Sequence, residues 1–213
     1  DPDRAGTLEA IREIARLPGL AFRGLLSYAG QSSAAGSLEE LKSIAAHEMT
    51  TMNALAGELR KGGLSIEEVS VGGTPLARFI GDSSFGGAQG GRGATEMRPG
   101  NYVFFDRMQV GLGSAALEDC ALMVVAMVVG RPSRDRVIFD AGSKTLTSDG
   151  ARGFAPLPGH GLVFPRLDDP TPDPTIVIER LNEEHAVAKV PDSCTLAPGD
   201  RVRILPNHSC VVT

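Results

Sequence analysis

Ser37–Gly73 reads SLEELKSIAAHEMTTMNALAGELRKGGLSIEEVSVGG, and this stretch decides the fold class. Ser37 followed three residues later by Glu40 is a capping box, in which each side chain satisfies the other's free backbone N–H at a helix start. Apolar residues then recur at Leu38, Leu41, Ile44, Ala45, Met49, Met52, Leu55 and Leu59, the spacing of a helix with one buried face. Gly62-Gly63 closes it, since glycine takes the left-handed conformation that a helix end requires. IEEVSVGG, Ile66–Gly73, reads as the strand that follows.

The same grammar continues on both sides. Thr7 is placed to cap a helix carrying Leu8, Ile11, Ile14 and Leu17, stopped by Pro18-Gly19, and AFRGLLSYAG, Ala21–Gly30, is a short strand. A glycine-rich linker, Gly86–Gly93, precedes NYVFFD, Asn101–Asp106, which is expected as another strand. Strand and helix in alternation predict a parallel α/β layer or barrel over residues 1–117. From about residue 118 the runs LMVVAMVVGRP, RDRVIFDAG, GLVFP, TIVIERLNEEHAVAKV and DRVRILPNHSCVV are β-rich and separated by Pro, Gly and Asp. They predict a second, all-β domain over 118–213.

Composition narrows the functional classes. A chain of 213 residues with 42% hydrophobic residues can bury a core, and 21 Lys+Arg against 26 Asp+Glu, without a basic run, excludes a nucleic-acid footprint. The longest apolar run, CALMVVAMVV at Cys120–Val129, is about half of a membrane-spanning helix and is expected as a buried strand. Three widely spaced cysteines argue against a disulfide framework and suit a reducing cytoplasm. The chain opens almost directly in a helix, without Met, which suggests that its beginning lies elsewhere.

In α/β barrels, chemistry sits at the carboxyl ends of strands. VGGTP, Val71–Pro75, follows a strand, and its glycines with the Thr74 hydroxyl suit a phosphate; a plain strand-to-helix turn is the simpler reading. MRPGNYVFFD offers Arg98 for charge and the Gly100 and Asn101 amides for a second phosphate contact, although arginine more often serves a surface ion pair. Tyr28 ends a strand and is either a barrel-mouth hydroxyl or a core aromatic with a wet tip. DAGSKTLTSD, Asp140–Asp149, is a hairpin turn or a site, with Lys144 its one lysine, and His185 in NEEHAVAKV reads as a solvated strand end. His208 and Cys210, two apart in the last apolar run, would share one face of a strand; both metal ligation and an unliganded pair fit that spacing.

Together and in this order, YAG, VGGTP, TEMRPGNYVFFD, DAGSKTLTSD, LNEEHA and PNHSC resemble the D-threonine aldolase and D-serine dehydratase family. The resemblance spans nearly the whole chain. It implies an alanine-racemase-like fold, a pyridoxal-phosphate (PLP)-binding TIM-type barrel followed by a β-domain, and a lyase acting on β-hydroxy D-amino acids. By the same resemblance, Gly73 and Thr74 form one part of the cofactor phosphate cup and Gly100 with Asn101 another. Tyr28 or Arg98 approaches the pyridine nitrogen, and His208 with Cys210 binds a divalent metal. A thiolate ligand favours zinc over manganese or magnesium and tilts the reading toward a dehydratase without excluding an aldolase. A homodimer is expected, with no nucleic-acid or membrane partner.

The sequence departs from the family in one respect. The Schiff-base lysine is expected upstream of Asp1, on a first barrel strand that the 213 residues do not include. The chain is therefore expected to be the later part of the barrel plus the β-domain and to need the missing N-terminal part. The alternatives are an amino-acid racemase of the same fold, which needs no metal, and a non-catalytic PLP- or metal-binding relative.

Overall fold

The computed structural model describes residues 4–80 and 93–212. All of the expected Gly86–Gly93 linker except its last residue lies outside them. The chain divides into two compact units, one of Asp1–Ser32 with Glu39–Pro99, the other of Ser33–Leu38 with Gly100–Thr213. Gly100–Leu117 thus packs with the β-rich unit.

In the first unit, α1 (Arg4–Ile14) is followed by β1 (Gly24–Leu26), α2 (Leu38–Lys61), β2 (Glu68–Val71), α3 (Ala77–Ile80) and β3 (Glu96–Met97). Thr7 lies inside α1 and not at its cap, because the helix begins earlier, where Arg4 makes two bonds to Glu58 of α2 at 2.8 and 3.1 Å. β2 pairs in parallel with β1 on one side and β3 on the other. Parallel neighbours require a crossover, and α2 supplies it between β1 and β2. Its buried stripe of Met49, Met52, Ala56 and Leu59 packs with Leu25, Ile66, Val69 and Val71 of the sheet side. Gly63, at φ +88°, terminates the helix as expected.

The second unit begins with a correction. Asn101–Asp106 is not a strand: Asn101–Val103 is a 3-10 turn, Phe105 has φ +51°, and Asp106 caps α4 (Arg107–Gly111) by accepting from the Gln109 N–H at 2.9 Å. Local capping by a carboxylate prevails here over the β preference of three aromatics. β4 (Val124–Ser133), β5 (Arg136–Phe139), β6 (Leu162–Phe164), β7 (Val177–Leu181), β8 (Ala186–Lys189) and β9 (Arg201–Leu205) then form an antiparallel sheet in the order β6-β9-β4-β5-β8-β7. Its core joins Val128, Phe139, Val163, Ile178, Ala188 and Ile204.

Three further expectations change. β4 is not buried on both faces: Ala126 and Val128 enter the core while Val125, Met127 and Val129 alternate to the exposed face, as one-sided antiparallel strands do. DAGSKTLTSD is not a hairpin turn, because it carries α5 (Ser143–Leu146) bonded to the β7–β8 turn through Ser143 N–H to Asn182 O at 2.8 Å and Lys144 N–H to Glu183 O at 3.2 Å. A Cβ at Gly142 would strike the Asn182 and Glu183 carbonyls, so only glycine permits that approach. Finally, β9 ends at Leu205, and Ser209–Val211 is a 3-10 turn, so His208 and Cys210 do not share a strand face.

Candidate functional site

In the first unit, the parallel register pairs Leu26 with Ser70 and Val71 with Met97. Tyr28, Gly72–Thr74 and Arg98 follow those strand ends within a few residues, so the sheet delivers them to its carboxyl edge. Backbone bonds extend the ladder there, Ser27 N–H to Ser70 O at 2.9 Å and Arg98 N–H to Val71 O at 3.2 Å. Tyr28 is 73% exposed, and its ring lies 3.2 Å from where a Cβ on Gly73 would stand. Arg98 donates from Nε to Ser70 Oγ at 2.6 Å and pairs through Nη2 with Glu96 at 2.7 Å. Thr74 Oγ1 is buried and has no hydrogen-bond partner among the described residues. Burial of a hydroxyl in that state is unfavourable unless something else binds it.

In the second unit, the segment 206–210 is held from several sides. Asp106, fully buried, accepts from Asn101 Nδ2 at 2.5 Å, from Ser209 N–H at 2.8 Å and from Gln109 N–H at 2.9 Å. Asn101 Nδ2 also lies 3.2 Å from Ser209 Oγ and 3.6 Å from Cys210 Sγ, while its Oδ1 is buried without a partner among the described residues. Asn207, fully buried, donates from Nδ2 to Asp149 O at 3.0 Å and Gly159 O at 3.1 Å. Arg107 places Nη1 within 2.8 Å of Pro158 O and 3.3 Å of Asn207 Oδ1; burial pulls its pKa below the usual arginine value, yet a guanidinium stays charged. Its backbone N–H and that of Met108 bond Pro206 O and Asn207 O.

His208 Nδ1 meets Asp149 Oδ2 at 2.8 Å, and Cys210 is exposed. An ionised carboxylate only accepts, so Nδ1 donates in this contact and Nε2 is the ring nitrogen left to face a metal. Among the described residues no group of three or more His, Cys, Asp or Glu side chains is arranged to hold a metal ion, so this pair supplies two donors, one nitrogen and one sulfur. Cys120 is a different thiol: burial first, then Asp106, pushes its pKa up to about 11, which makes it a poor nucleophile.

The structure brings Tyr28, Gly73, Thr74 and Arg98 to one sheet edge, and Asn101 to His208–Cys210. Lys144 pairs with Glu183 at 2.9 Å and Glu184 at 2.8 Å, and His185 is an exposed turn residue whose carbonyl accepts from Asn182 N–H. Asp106, Asn207 and Asp149 were not among the expected site residues. Asp106 was legible as an N-cap with Gln109 three residues on.

Residues 121–213 match the family described as "Putative serine dehydratase domain". D-threo-3-hydroxyaspartate dehydratase from Delftia sp. (strain HT23) is 36% identical over 203 residues, covering 90% of this chain and 50% of that protein. D-serine dehydratase from Dictyostelium discoideum is 28% identical over 195 residues, 89% of this chain and 48% of the relative. The chain belongs to the D-threonine aldolase and D-serine dehydratase family. It spans about half the length of the curated relatives it matches. The solved structure of the Delftia family member superimposes with a TM-score of 0.79 at 31% identity, over 100% of this chain and 56% of that one. An alanine-racemase-like protein from Idiomarina loihiensis gives 0.79 at 27% identity, over 96% and 53%. The fold is thus the later part of an alanine-racemase-like TIM-type barrel followed by a β-domain. Solved variants of a D-threo-3-hydroxyaspartate dehydratase, each 32% identical to this chain, replace a histidine and a cysteine two positions apart, and the cysteine variant is in a metal-free form. No helix among the described residues is long and apolar enough to cross a membrane.

Proposed function

We propose that this chain, 1–117 from the barrel and 118–213 as the β-domain, is part of a PLP- and metal-dependent lyase acting on β-hydroxy D-amino acids, of dehydratase or aldolase type. The observation that carries this reading is the His208–Cys210 pair, a nitrogen and a sulfur donor on a firmly held segment, at the spacing of the histidine and cysteine replaced in the D-threo-3-hydroxyaspartate dehydratase variants. Zinc suits that thiolate better than manganese or magnesium, and it favours dehydration. Three free cysteines accord with a cytoplasmic setting, and a homodimer is expected by family likeness.

The residues present fit both groups. Thr74 Oγ1, a buried donor without a partner among the described residues, suits the cofactor phosphate together with the Gly73 backbone beside it, and by family likeness Gly100 and Asn101 supply further amides. Arg98 already engages Ser70 and Glu96, so we assign the pyridine-nitrogen contact to the exposed Tyr28. When bound, PLP supplies an electron sink for the substrate Cα and the metal a Lewis acid toward the β-hydroxyl. Asp149 engages Nδ1 of His208 and so leaves Nε2 as the ring nitrogen for a metal, and Asp106 fixes the backbone between the two metal donors.

Borohydride reduction of the full-length protein followed by peptide mapping tests the cofactor, with a pyridoxyl-lysine expected upstream of Asp1. Product analysis with D-serine, D-threonine and D-threo-3-hydroxyaspartate tests the reaction, with keto acid or aldehyde that disappears on chelation expected. Chelator-resistant formation of the mirror-image amino acid alone would establish a racemase instead. A label on Lys144 would overturn the cofactor assignment.

A further inference from the structure

We propose that Asp149 is the positioning residue of the metal site, holding His208 in the one tautomer and ring orientation that offers Nε2 to the ion. This rests on His208 and Cys210 being the metal donors. Asp149 Oδ2 lies 2.8 Å from His208 Nδ1, the arrangement by which a carboxylate fixes a ligating imidazole.

The contact is not an incidental surface ion pair, because the backbone at both ends is fixed independently. The Asp149 carbonyl accepts from the buried Asn207, adjacent to His208, at 3.0 Å, and its N–H bonds Thr147 Oγ1 at 3.2 Å. Thr147 is buried and sits at φ +65°, ψ +148°, a region nearly reserved for glycine. Among the described residues, the only other non-glycine residue with positive φ is Phe105, immediately before Asp106, the carboxylate that holds Ser209. Both strained positions thus precede an aspartate that holds part of the 207–209 segment, Asp149 at Asn207 and His208 and Asp106 at Ser209. Strain of this kind persists only where the surroundings over-determine it, and it gathers at functional sites. The His208 and Asp149 side chains remain 31% and 50% exposed, so their pairing adds little to stability and its value lies in orientation.

The test is metal affinity in the full-length protein, read by competition with a chromophoric zinc chelator, with cobalt substitution to follow the thiolate-to-metal charge-transfer band. D149A is expected to weaken zinc binding about 10–100-fold, the usual effect of losing such a partner, with an unchanged melting midpoint. D149N keeps an oxygen that accepts the Nδ1–H and is expected to restore most of the affinity. Wild-type zinc affinity in D149A, alongside its loss in H208A and C210A, would overturn the proposal and leave the metal pair standing. Wild-type affinity in H208A and C210A would overturn the metal pair itself. A fall in melting midpoint with unaltered affinity would make Asp149 merely structural and would also refute the proposal.

Discussion

The two loops to which the chemistry is proposed to belong solve opposite problems. Around His208 and Cys210, the second unit ties its backbone down with buried side chains, although Asn101 Oδ1 finds no partner among the described residues: Asp106 takes three donors, Asn207 bridges Asp149 and Gly159, and Arg107 serves Pro158 and Asn207. At the carboxyl edge of the first sheet, Thr74 Oγ1 is buried with nothing to bond among the described residues. One loop has its backbone held by its own protein before any ligand arrives; the other keeps a donor whose hydrogen bond a ligand would complete. Substitution should therefore damage the first through the fold and the second through ligand binding.

Asp106→Ala gives the largest expected effect. It strands three donors, two of them deep in the unit, and at roughly 1–3 kcal/mol per unsatisfied group a loss of about 3–5 kcal/mol is expected. Denaturant unfolding of the full-length protein measures it, and zinc binding should fall with it. A loss under about 1 kcal/mol would mean that the His208 segment is not held from Asp106.

Thr74→Val separates the two loops, because it removes an unpartnered hydroxyl at constant shape. The PLP-free protein should gain about 1 kcal/mol of stability, while PLP binding weakens about tenfold, or about 1.4 kcal/mol. Equal stability loss with and without PLP would show that Thr74 is satisfied by the protein itself, which erases the contrast.

Thr147→Gly probes the strain behind Asp149. Relief of a backbone that costs about 1–3 kcal/mol for a β-branched residue, offset by about 0.5–1 kcal/mol of added chain entropy, predicts a net gain near 1 kcal/mol. Thermal melting checks the sign. Destabilisation would mean that the buried Thr147 side chain and its bond to the Asp149 N–H outweigh the strain.

How far the sequence foretold each region follows the same division. Parallel strands around a capped, striped helix were legible, since period and glycine stops are local signals: Leu41, Met49 and Leu59 fall in the core as their spacing predicts. VGGTP and Tyr28 were legible as strand-end residues for the same reason. The His208 segment was not, because its shape is imposed by Asp106, Arg107 and Asp149, all more than fifty positions away in sequence. An apolar run read with period two then passes for a strand. NYVFFD misled likewise: aromatic β preference is visible locally, whereas the partner of a buried capping carboxylate is not.

Lys144 gives the smallest expected effect and guards the comparison from the other side. It occupies the most polar motif of the sequence, yet its ammonium meets Glu184 and Glu183 in solvent, and those bonds, Glu184 first, raise its pKa above the ordinary lysine value. A raised folded-state pKa stabilises fully below the unfolded value and is lost as pH rises through the folded one. The contribution therefore fades only in strongly alkaline solution, and solvent screening keeps it small below that. Lys144→Met should leave the melting midpoint near pH 7 almost unchanged, with zinc and PLP affinities intact. Loss of either ligand in that variant would make the DAGSK segment part of the chemistry and remove the distinction between a held site and its surrounding surface.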